Sequence, residues 1–353
     1  MSAARVIIMA AGTGGHIFPG LAVARALTAQ GAEVSWLGTP GGLENRLVPA
    51  AGLELERISI AGLRGRGLLG WLASPVRVLR AMLQARRVFR SRHPDCVLSM
   101  GGYVAGPGGL MARLMGIPLL IHEQNALAGL TNRLLRPLAT RVLSGFPGAL
   151  KDSVHCGNPV RDEIFALPAP DQRARTRTGP LSLLVVGGSQ GSAALGQLVP
   201  RALARLPEAQ RPAVVHQAGR QLTQTRDAYD AAGVTGEVVE FIDDMAAAWA
   251  GADLAICRSG ALTVAELAAA GVAAILVPFP HAVDDHQTAN ARYLSDAGAA
   301  WLEAESGLSP ERLADIIAGT SRDQLVAMAE RARGLAKPDA VKQVAAACLE
   351  VAA

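Results

Sequence analysis

The chain repeats a unit in which a short apolar run leads into a glycine-rich turn and then into a helix-forming segment. Residues 5–20 show this unit, and residues 181–191 begin it again. Apolar runs of strand length that alternate with helical segments predict parallel sheets covered by helices, an α/β fold. A length of 353 residues favours two domains. We place the first at 1–160, joined by a returning C-terminal helix at about 338–353, and the second at 161–337.

Predicted strands follow the apolar runs along both halves. They are residues 5–10, 33–37, 53–60, 95–99, 117–121, 181–186, 213–216, 237–241, 253–256 and 273–277. We interpret residues 166–180, which are rich in Pro, Ala, Arg and Thr, as a linker after a hinge at 157–161. Residues 309–352 are predicted to be helical.

Composition excludes several classes of protein. Mean hydropathy is high at +0.25, yet no apolar run reaches the roughly 18 residues of a membrane-spanning helix. The four cysteines are far apart in the sequence and form no CxxC pair. This spacing argues against a disulfide framework or a zinc site and fits a reducing cytoplasm. We therefore expect no metal.

Charge is distributed unevenly between the halves. Residues 1–160 contain 17 basic and seven acidic side chains, whereas residues 161–353 contain 17 and 23. Residues 57–94 contain nine arginines and no acid, with leucines at helical spacing around Trp71. Such a segment can be an amphipathic helix packed on its own domain, with its arginines in water. It can also dock on an anionic membrane, and both can hold at once.

One segment of the second half has the pattern of an anion site. A strand at 254–256 is followed by Ser259-Gly260, a run of helix formers from 261 to 270, and Gly271 as the closing residue. The free N–H groups of a helix N-terminus bind phosphate. Glu266 lies about one turn further on, where a carboxylate can bind a ribose hydroxyl pair. The same pattern also fits a plain strand–turn–helix connection with a solvated glutamate.

Glycine loops in the first half suggest a second set of ligand contacts. Residues 11–20 resemble a dinucleotide loop, but Ile17 replaces the third glycine of GxGxxG, so NAD binding is disfavoured. Pro19 suits the first turn of the next helix. His16 is either a functional group at the loop's edge or a histidine at a helix N-terminus. Because parallel strands end at one edge of a sheet, we expect the glycine loops at 11–20 and 101–109 to face the same crevice, with polar residues 122–125 at the end of the fifth strand.

Taken together, the motifs resemble the MurG family of glycosyltransferases along nearly the whole chain. The matching segments, in order, are residues 12–20, 100–103, 122–125, 157–161, 187–191, 241–245, 257–263 and 285–287. Each motif alone is weakly specific, but their joint order is highly specific. The resemblance implies a GT-B fold, with two Rossmann-like domains whose parallel sheets face a central cleft.

The family resemblance also implies an activity and its partners. It implies transfer of N-acetylglucosamine (GlcNAc) from UDP-GlcNAc to the 4-hydroxyl of the muramoyl sugar of lipid I, giving the peptidoglycan precursor lipid II. The implied location is peripheral, on the cytoplasmic face of the bacterial plasma membrane, with anionic lipids as a partner and no nucleic acid or cofactor. The basic segment matches the family's membrane-association region in position and character.

Site residues follow from the resemblance, residue by residue. Residues implied on the UDP-GlcNAc side are Thr13, Gly14, Gly15, Asn125, Arg161, Ser189, Ile242, Ala261, Leu262, Thr263, Val264, Ala265, Glu266 and Gln287. Those implied on the acceptor side are Gly101, Gly102 and Tyr103. Arg161 would be the cation nearest the pyrophosphate, Glu266 would bind the ribose, and Ile242 would offer backbone contacts to uracil.

The chemistry requires a base and stabilisation of the leaving group. An α-linked donor that gives a β-linked product calls for inversion in one displacement, with a general base on the acceptor hydroxyl. The base candidates are His16 and Glu123, and histidine has the better pKa range near neutrality. No DxD motif occurs in the chain, so helix and loop amides with Arg161 would receive the departing UDP. The alternatives are another GT-B enzyme with a lipid acceptor, and a non-catalytic nucleotide-binding regulator.

Overall fold

The structure is a computed structural model that describes residues 3–60, 74–188 and 190–353. The chain divides into two compact units, unit 1 (Met1–Val160 with Lys337–Ala353) and unit 2 (Arg161–Ala336). The first boundary lies between residues 160 and 161, and the chain re-enters unit 1 at residue 337. Within the described residues, no helix is both long enough and apolar enough to cross a membrane.

Unit 1 alternates strands with helices. Its strands are β1 (Arg5–Ala10), β2 (Glu33–Gly38), β3 (Glu54–Arg57), β4 (Cys96–Gly101), β5 (Leu119–Glu123), β6 (Arg141–Ser144) and β7 (Val154–His155). Its helices are α1 (Gly14–Ala29), α2 (Glu44–Ala50), α3 (Ser74–Arg92), α4 (Ala105–Leu114), α5 (Leu130–Leu135) and, after the chain returns, α15 (Ala340–Ala352). The described strands form one parallel sheet in the order β3-β2-β1-β4-β5-β6-β7.

Both faces of this sheet are buried, as expected for a parallel sheet. Successive residues of β1 point to opposite faces, so Ile8 packs in a core with α1 and α15, while Ile7 packs in a second core with α3 and α4. The direction of the connections reverses between β1 and β4. At such a switch point the loops after neighbouring strands diverge and leave room for a ligand.

Unit 2 repeats this design. Its strands are β8 (Ser182–Val186), β9 (Ala213–Gln217), β10 (Glu237–Val239), β11 (Leu254–Cys257), β12 (Ala273–Leu276) and β13 (Ala300–Leu302). Its helices are α6 (Asp162–Phe165), α7 (Pro170–Arg175), α8 (Ala193–Leu203), α9 (Leu222–Ala232), α10 (Met245–Gly251), α11 (Ala261–Ala270), α12 (His286–Ser295), α13 (Pro310–Ala318) and α14 (Arg322–Gly334). The described strands are parallel, in the order β10-β9-β8-β11-β12-β13, so the switch point lies between β8 and β11.

Three sequence predictions about local structure were wrong. Pro19 does not begin a helix, because α1 starts at Gly14 and Pro19 lies inside it. Residues 166–180 are not a bare linker, since they contain α7. Arg173 of that helix donates to the Ala270 carbonyl at 2.8 Å, and Arg177 is paired with the buried Asp253. The third strand is only Glu54–Arg57.

Three short strands, β6, β7 and β13, were missed. The helix predicted from leucine spacing is present as α3, and Pro75 lies in its first turn. Leu68, Trp71 and Leu72, which were part of that prediction, lie outside the described residues.

Candidate active site

The first glycine loop of unit 1 connects β1 to α1. Gly12 adopts a φ of +97°, a left-handed conformation that favours glycine. The Thr13 carbonyl accepts from the N–H groups of His16 and Ile17 at 3.2 and 3.4 Å, so the loop passes directly into the first turn of α1. Thr13, Gly14 and Gly15 therefore lie at the carboxyl end of β1, and their predicted contact with UDP-GlcNAc stays a prediction.

A buried carboxylate, which sequence analysis missed, fixes this loop. Glu44 of α2 is fully buried, and its Oε2 accepts from the Gly12 N–H at 3.1 Å. Its Oε1 accepts from the Thr39 N–H and hydroxyl at 2.9 and 2.7 Å. Gly42 makes room for the carboxylate, because a Cβ at that position would lie 1.9 Å from Glu44 Oε2. The only signal in the sequence was the spacing of small residues just before a helix.

Two glycines at the end of β4 bring a second loop against the first. Gly101 and Gly102 have φ values of +101° and +83°. A Cβ on Gly102 would lie 2.3 Å from the Ala11 carbonyl oxygen, and a Cβ on Gly101 would lie 2.8 Å from the His16 ring. These glycines, predicted to be acceptor-side residues, thus create the close contact that holds the His16 ring against the loop. Tyr103, which follows them, has 57% of its surface exposed.

His16 is linked to the segment that follows β5. Its Nδ1 lies 3.1 Å from Gln124 Oε1. No described residue lies within hydrogen-bonding distance of His16 Nε2. The amide oxygen of Gln124 can only accept, so the neutral ring carries its proton on Nδ1 and a lone pair on Nε2. This arrangement is the one that a general base requires.

Glu123, the other candidate base, instead anchors the loop that follows it. Its Oε1 accepts from the Asn125 N–H at 3.0 Å and from the Asn125 side-chain amide at 3.3 Å. Its Oε2 accepts from the Gly129 N–H at 3.2 Å and from Asn132 Nδ2 at 2.8 Å. The side chain is 2% exposed. A buried carboxylate with four donors is a structural group, so we correct the prediction that Glu123 is a base. It orients Asn125, the residue predicted to contact the transferred sugar.

In unit 2, the turn between β11 and α11 forms an open helix N-terminus. Gly260 caps α11 without a side-chain hydrogen bond, which leaves the N–H groups of Ala261, Leu262 and Thr263 at the free end. The Ser259 hydroxyl is fully buried and has no hydrogen-bond partner among the described residues. Gly271 closes the helix with a φ of +62°, as predicted.

Val264 and Ala265, unlike these three residues, have no free N–H group at the start of α11. Val264 is fully buried in the domain interior, and its N–H is used within the helix, where it donates to the Gly260 carbonyl at 3.0 Å. It therefore has neither a side chain nor an N–H available for a ligand, and its predicted role is corrected to packing. Ala265 is half-buried and lies beyond the first turn, so it has no free N–H either.

Glu266 lies in a polar site one turn into α11. Its Oε2 accepts from Trp249 Nε1 at 3.2 Å, and its Oε1 lies 3.5 Å from Arg161. Burial raises the pKa of the Glu266 carboxyl, while Arg161 and the Trp249 hydrogen bond act in the opposite direction. The structure thus brings two predicted ligand-binding residues together and adds Trp249, a fully buried residue of α10 that the sequence did not single out.

The glycine loop after β8 is held by an uncharged side chain. Gln217, at the end of β9, accepts from the Gly188 N–H at 3.1 Å and donates to the Gly188 carbonyl at 3.1 Å. It also donates to the Glu240 carbonyl at 3.3 Å. Ser189, the predicted ligand of this loop, lies outside the described residues. Ile242 lies in the connection after β10 and is half-buried.

The loop between β12 and α12 is oriented by Arg258, another residue that sequence analysis left without a role. Arg258 donates to the carbonyls of Val277 and Pro278 at 3.1 Å each and pairs with Glu305. Gln287 Oε1 accepts from the Phe279 N–H at 2.9 Å. Since that bond uses the Gln287 carbonyl, the amide N–H₂ remains directed away from it and is available to donate to a hydroxyl.

Both halves of the chain match models of a known protein family. The model of the glycosyltransferase family 28 N-terminal domain matches residues 6–144, and that of its C-terminal domain matches residues 182–344. Two relatives of this chain carry the name UDP-N-acetylglucosamine–N-acetylmuramyl-(pentapeptide) pyrophosphoryl-undecaprenol N-acetylglucosamine transferase. That of Nitrosospira multiformis is 57% identical over 99% of each chain. That of Alkalilimnicola ehrlichii is 59% identical over 98% of this chain and 99% of its own.

A solved structure gives the same result. The crystal structure of MurG from Acinetobacter baumannii is 45% identical, with a TM-score of 0.85 over 98% of this chain and 99% of that one. The chain belongs to the MurG family. Membership confirms the predicted GT-B fold with two Rossmann-like domains, and it confirms a glycosyltransferase. The alternative of a non-catalytic nucleotide-binding regulator is therefore wrong. Within the MurG family, the individual roles assigned above to site residues stay predictions.

Proposed function

We infer that this enzyme transfers GlcNAc from UDP-GlcNAc to the 4-hydroxyl of the muramoyl sugar of lipid I, which gives lipid II for peptidoglycan synthesis. The observation that carries the inference is the pairing, within unit 2, of the open N-terminus of α11 with the Glu266 site one turn further on. The names of the relatives, which are 55–59% identical, supply the substrate pair.

The donor half of the reaction follows from α11. The diphosphate of UDP-GlcNAc binds the free N–H groups of residues 261–263, where the helix dipole favours negative charge. The ribose hydroxyls donate to Glu266, whose position is set by Trp249 and Arg161. Gln287 donates from its free amide to a hydroxyl of the GlcNAc ring.

The acceptor half of the reaction uses His16. The Nε2 lone pair removes the proton from the acceptor 4-hydroxyl as that oxygen attacks C1 of GlcNAc. The bond between C1 and the phosphate oxygen breaks, and UDP leaves with the electron pair. The α11 amides and Arg161 stabilise the charge that develops on UDP. The proton on His16 then passes to solvent, which restores the base.

Product analysis tests this function directly. We expect the purified enzyme to convert UDP-GlcNAc and a soluble lipid I analogue into UDP and a disaccharide with a β-1,4 linkage. UDP-glucose in place of UDP-GlcNAc is the matched donor control and should give far less product. The competing proposal is an enzyme that glycosylates another membrane lipid. Glucosylation of diacylglycerol, without product from the lipid I analogue, would establish that alternative.

We propose further that unit 1 docks on the cytoplasmic face of the plasma membrane through α3. Ala81, Met82, Ala85 and Phe89 face the core, while Val76, Leu79 and Leu83 form an exposed stripe with 71%, 57% and 47% of their surfaces accessible. Arg80, Arg87 and Arg90 lie beside this stripe by helical spacing and are exposed. Within the described residues, none of these three arginines has a salt bridge.

This combination suits an anionic lipid surface, where each nearby basic residue contributes about 1 kcal/mol. Gly62 to Trp71, which the sequence suggested as a lipid contact, lies outside the described residues. Binding to vesicles that contain anionic lipid should therefore weaken as salt is raised. Binding that is independent of both salt and lipid charge would contradict the proposal.

A further inference from the structure

We propose that Gln124 and His122 are positioning residues that fix the proton of His16 on Nδ1, so that Nε2 is held ready as the base. This inference rests on the proposed transfer reaction and adds to it the group that determines which nitrogen can act. The relay is a chain of hydrogen bonds within unit 1 that leads from the Gly157 carbonyl through His122 and Gln124 to the His16 ring.

The chain begins at His122, which is fully buried at the end of β5. Its Nε2 lies 2.9 Å from the Gly157 carbonyl oxygen. A carbonyl can only accept, so His122 Nε2 carries a proton. Burial lowers the pKa of His122 to about 4, so the ring is neutral at neutral pH. A neutral ring with a proton on Nε2 has a lone pair on Nδ1.

Gln124 passes this orientation on. Its Nε2 donates to His122 Nδ1 at 3.2 Å and to the His122 carbonyl at 3.1 Å. Both partners are acceptors, so the nitrogen of the amide must face His122 and the oxygen must face the other way. That oxygen lies 3.1 Å from His16 Nδ1. If the Gln124 amide were reversed, its oxygen would face His122 Nδ1 and the His122 carbonyl, which are both acceptors. The amide orientation is therefore fixed, and it places the proton of His16 on Nδ1.

The backbone around Gln124 is held as firmly as the side chain. Asn158 Nδ2 donates to the Gln124 carbonyl at 3.0 Å, and Asn158 is 4% exposed. Gly157 thus holds His122 and Asn158 holds the backbone of Gln124, which gives these two residues of the predicted hinge a role in the relay. On its other side, the His16 ring is confined by Gly101, where any side chain would clash.

The relay supplies geometry without charge. A carboxylate in the place of Gln124 would fix the same tautomer but would also stabilise the protonated ring. A neutral amide fixes the tautomer and leaves the ring free to return its proton after each turnover. Gln124 and His122 are therefore expected to affect the rate of the chemical step rather than donor binding, which the proposal assigns to unit 2.

Nitrogen NMR of the histidine rings tests the relay on the whole protein. In ring-¹⁵N-labelled enzyme, long-range ¹H–¹⁵N spectra distinguish a protonated from an unprotonated ring nitrogen, and the spectrum of His16→Ala assigns the His16 signals. We expect the proton of His16 on Nδ1 in the wild type. His286 is an internal control, because its Nδ1 lies 2.7 Å from the Val283 carbonyl and should carry a proton in every variant.

Two variants at one position separate orientation from mere packing. Gln124→Met keeps the length of the side chain but removes its donor and acceptor. We expect His16 to populate both tautomers and kcat to fall about 3- to 10-fold, the effect of losing one net hydrogen bond, with KM for UDP-GlcNAc unchanged. Gln124→Glu keeps an acceptor for His16 Nδ1 and, when its other oxygen carries a proton, a donor for His122 Nδ1, so the protonated side chain should retain the wild-type tautomer of His16.

A His16 proton on Nε2 in the wild type would overturn the relay. This measurement does not depend on whether any Gln124 variant folds. An unchanged His16 tautomer and kcat in Gln124→Met would overturn it equally. If the wild type makes no product from UDP-GlcNAc and the lipid I analogue, the proposed function fails, while the NMR spectrum still reports on the relay. The two failures are therefore distinguishable.

Discussion

The two units share a sheet topology, yet they hold their first glycine loops with different chemistry. In unit 1 the Gly12 N–H is bound by the carboxylate of Glu44, and in unit 2 the Gly188 N–H is bound by the amide of Gln217. An N–H that already serves a buried anion is not available to a phosphate. The loop of unit 1 is thus held rigidly beside His16, and the anion site that we propose for unit 2 is the N-terminus of α11 instead of the loop at Gly188.

The difference teaches that topology places loops but does not decide their use. Both switch points lie after the first strand of a unit, between β1 and β4 and between β8 and β11. At both switch points a ten-residue helix begins without a side-chain cap, α4 after β4 and α11 after β11. At α11, the residue that precedes the cap is Ser259, whose buried hydroxyl has no hydrogen-bond partner among the described residues. The predictions that follow test this division of labour between a catalytic unit 1 and a donor-binding unit 2.

The largest effect is expected at His16. His16→Ala should reduce turnover by a factor of about 100 to 10,000, the usual cost of removing a general base. Affinity for UDP should stay near the wild-type value, because UDP is assigned to unit 2. Steady-state kinetics and calorimetric UDP titration measure the two quantities separately. A loss of only a few-fold in turnover in a folded variant would show that the base lies elsewhere.

The converse pattern is expected at Glu266. Glu266→Ala should weaken UDP binding by about 1.5–3 kcal/mol, the range for hydrogen bonds to a charged group. A UDP analogue without ribose hydroxyls should bind the wild type and the variant about equally. Isothermal titration with both ligands checks this. If UDP binds the variant as tightly as it binds the wild type, the carboxylate does not contact the ribose.

The loop supports can be compared by exchanging their chemistry. Glu44→Gln replaces one carboxylate oxygen by an N–H₂ group, which cannot accept from the Gly12 and Thr39 donors that the carboxylate binds. A buried donor left unpaired lowers the free energy of unfolding by about 1–3 kcal/mol. Gln217→Glu places a carboxylate against the carbonyls of Gly188 and Glu240 and is the matched change in unit 2. Hydrogen exchange should accelerate at the Gly12 amide in the first variant and at the Gly188 amide in the second. Acceleration at both loops in either variant would mean that the supports are not local.

Glu266 should also affect stability, with a sign set by its burial. Because burial raises the pKa of the Glu266 carboxyl in the folded state, the unfolded chain ionises more readily. The contribution of this group to the free energy of unfolding is therefore greatest at acid pH and is lost as pH rises through the folded-state pKa. Glu266→Gln should raise the melting temperature at neutral pH but not at low pH. An increase that is equal at both would implicate packing instead of ionisation.

Much of the fold was readable from sequence because apolar runs of strand length alternate with segments of good helix formers. The strand at Arg5–Ala10 and the helix at Ala261–Ala270 match their predicted bounds. The missed strand β7 has only two residues, which is too short for a periodic signal. The strand predicted at 53–60 is shorter in the structure, Glu54–Arg57. The flanking apolar residues lengthen the apolar pattern but lie outside the residues of β3 that pair with β2.

The candidate ligand-binding residues left clearer signals in the sequence than the residues that support them. His16 and Glu266 sit beside glycine loops or helix starts, which leave local signals in the sequence. Glu44, Gln217 and Trp249 act across 17 to 32 residues of chain, through buried hydrogen bonds. Their role depends on tertiary distance, which no local pattern encodes. The same dependence on tertiary structure explains the wrong prediction for Glu123. Its place in a motif suggested a base, but the sequence does not show the four donors that its carboxylate binds.

The smallest effect is expected on the exposed stripe of α3, where two single substitutions separate location from charge. Leu79→Glu and Val154→Glu both add one negative charge to unit 1 at side chains of nearly equal exposure, 57% and 56%. Only Leu79 lies beside the arginines of α3. Leu79→Glu should weaken binding to anionic vesicles by about 1 kcal/mol, or roughly fivefold, while Val154→Glu should not. Both should retain wild-type turnover on a short-chain acceptor. Equal weakening by the two substitutions would show that vesicles sense only the net charge, and that unit 1 has no specific docking face on α3.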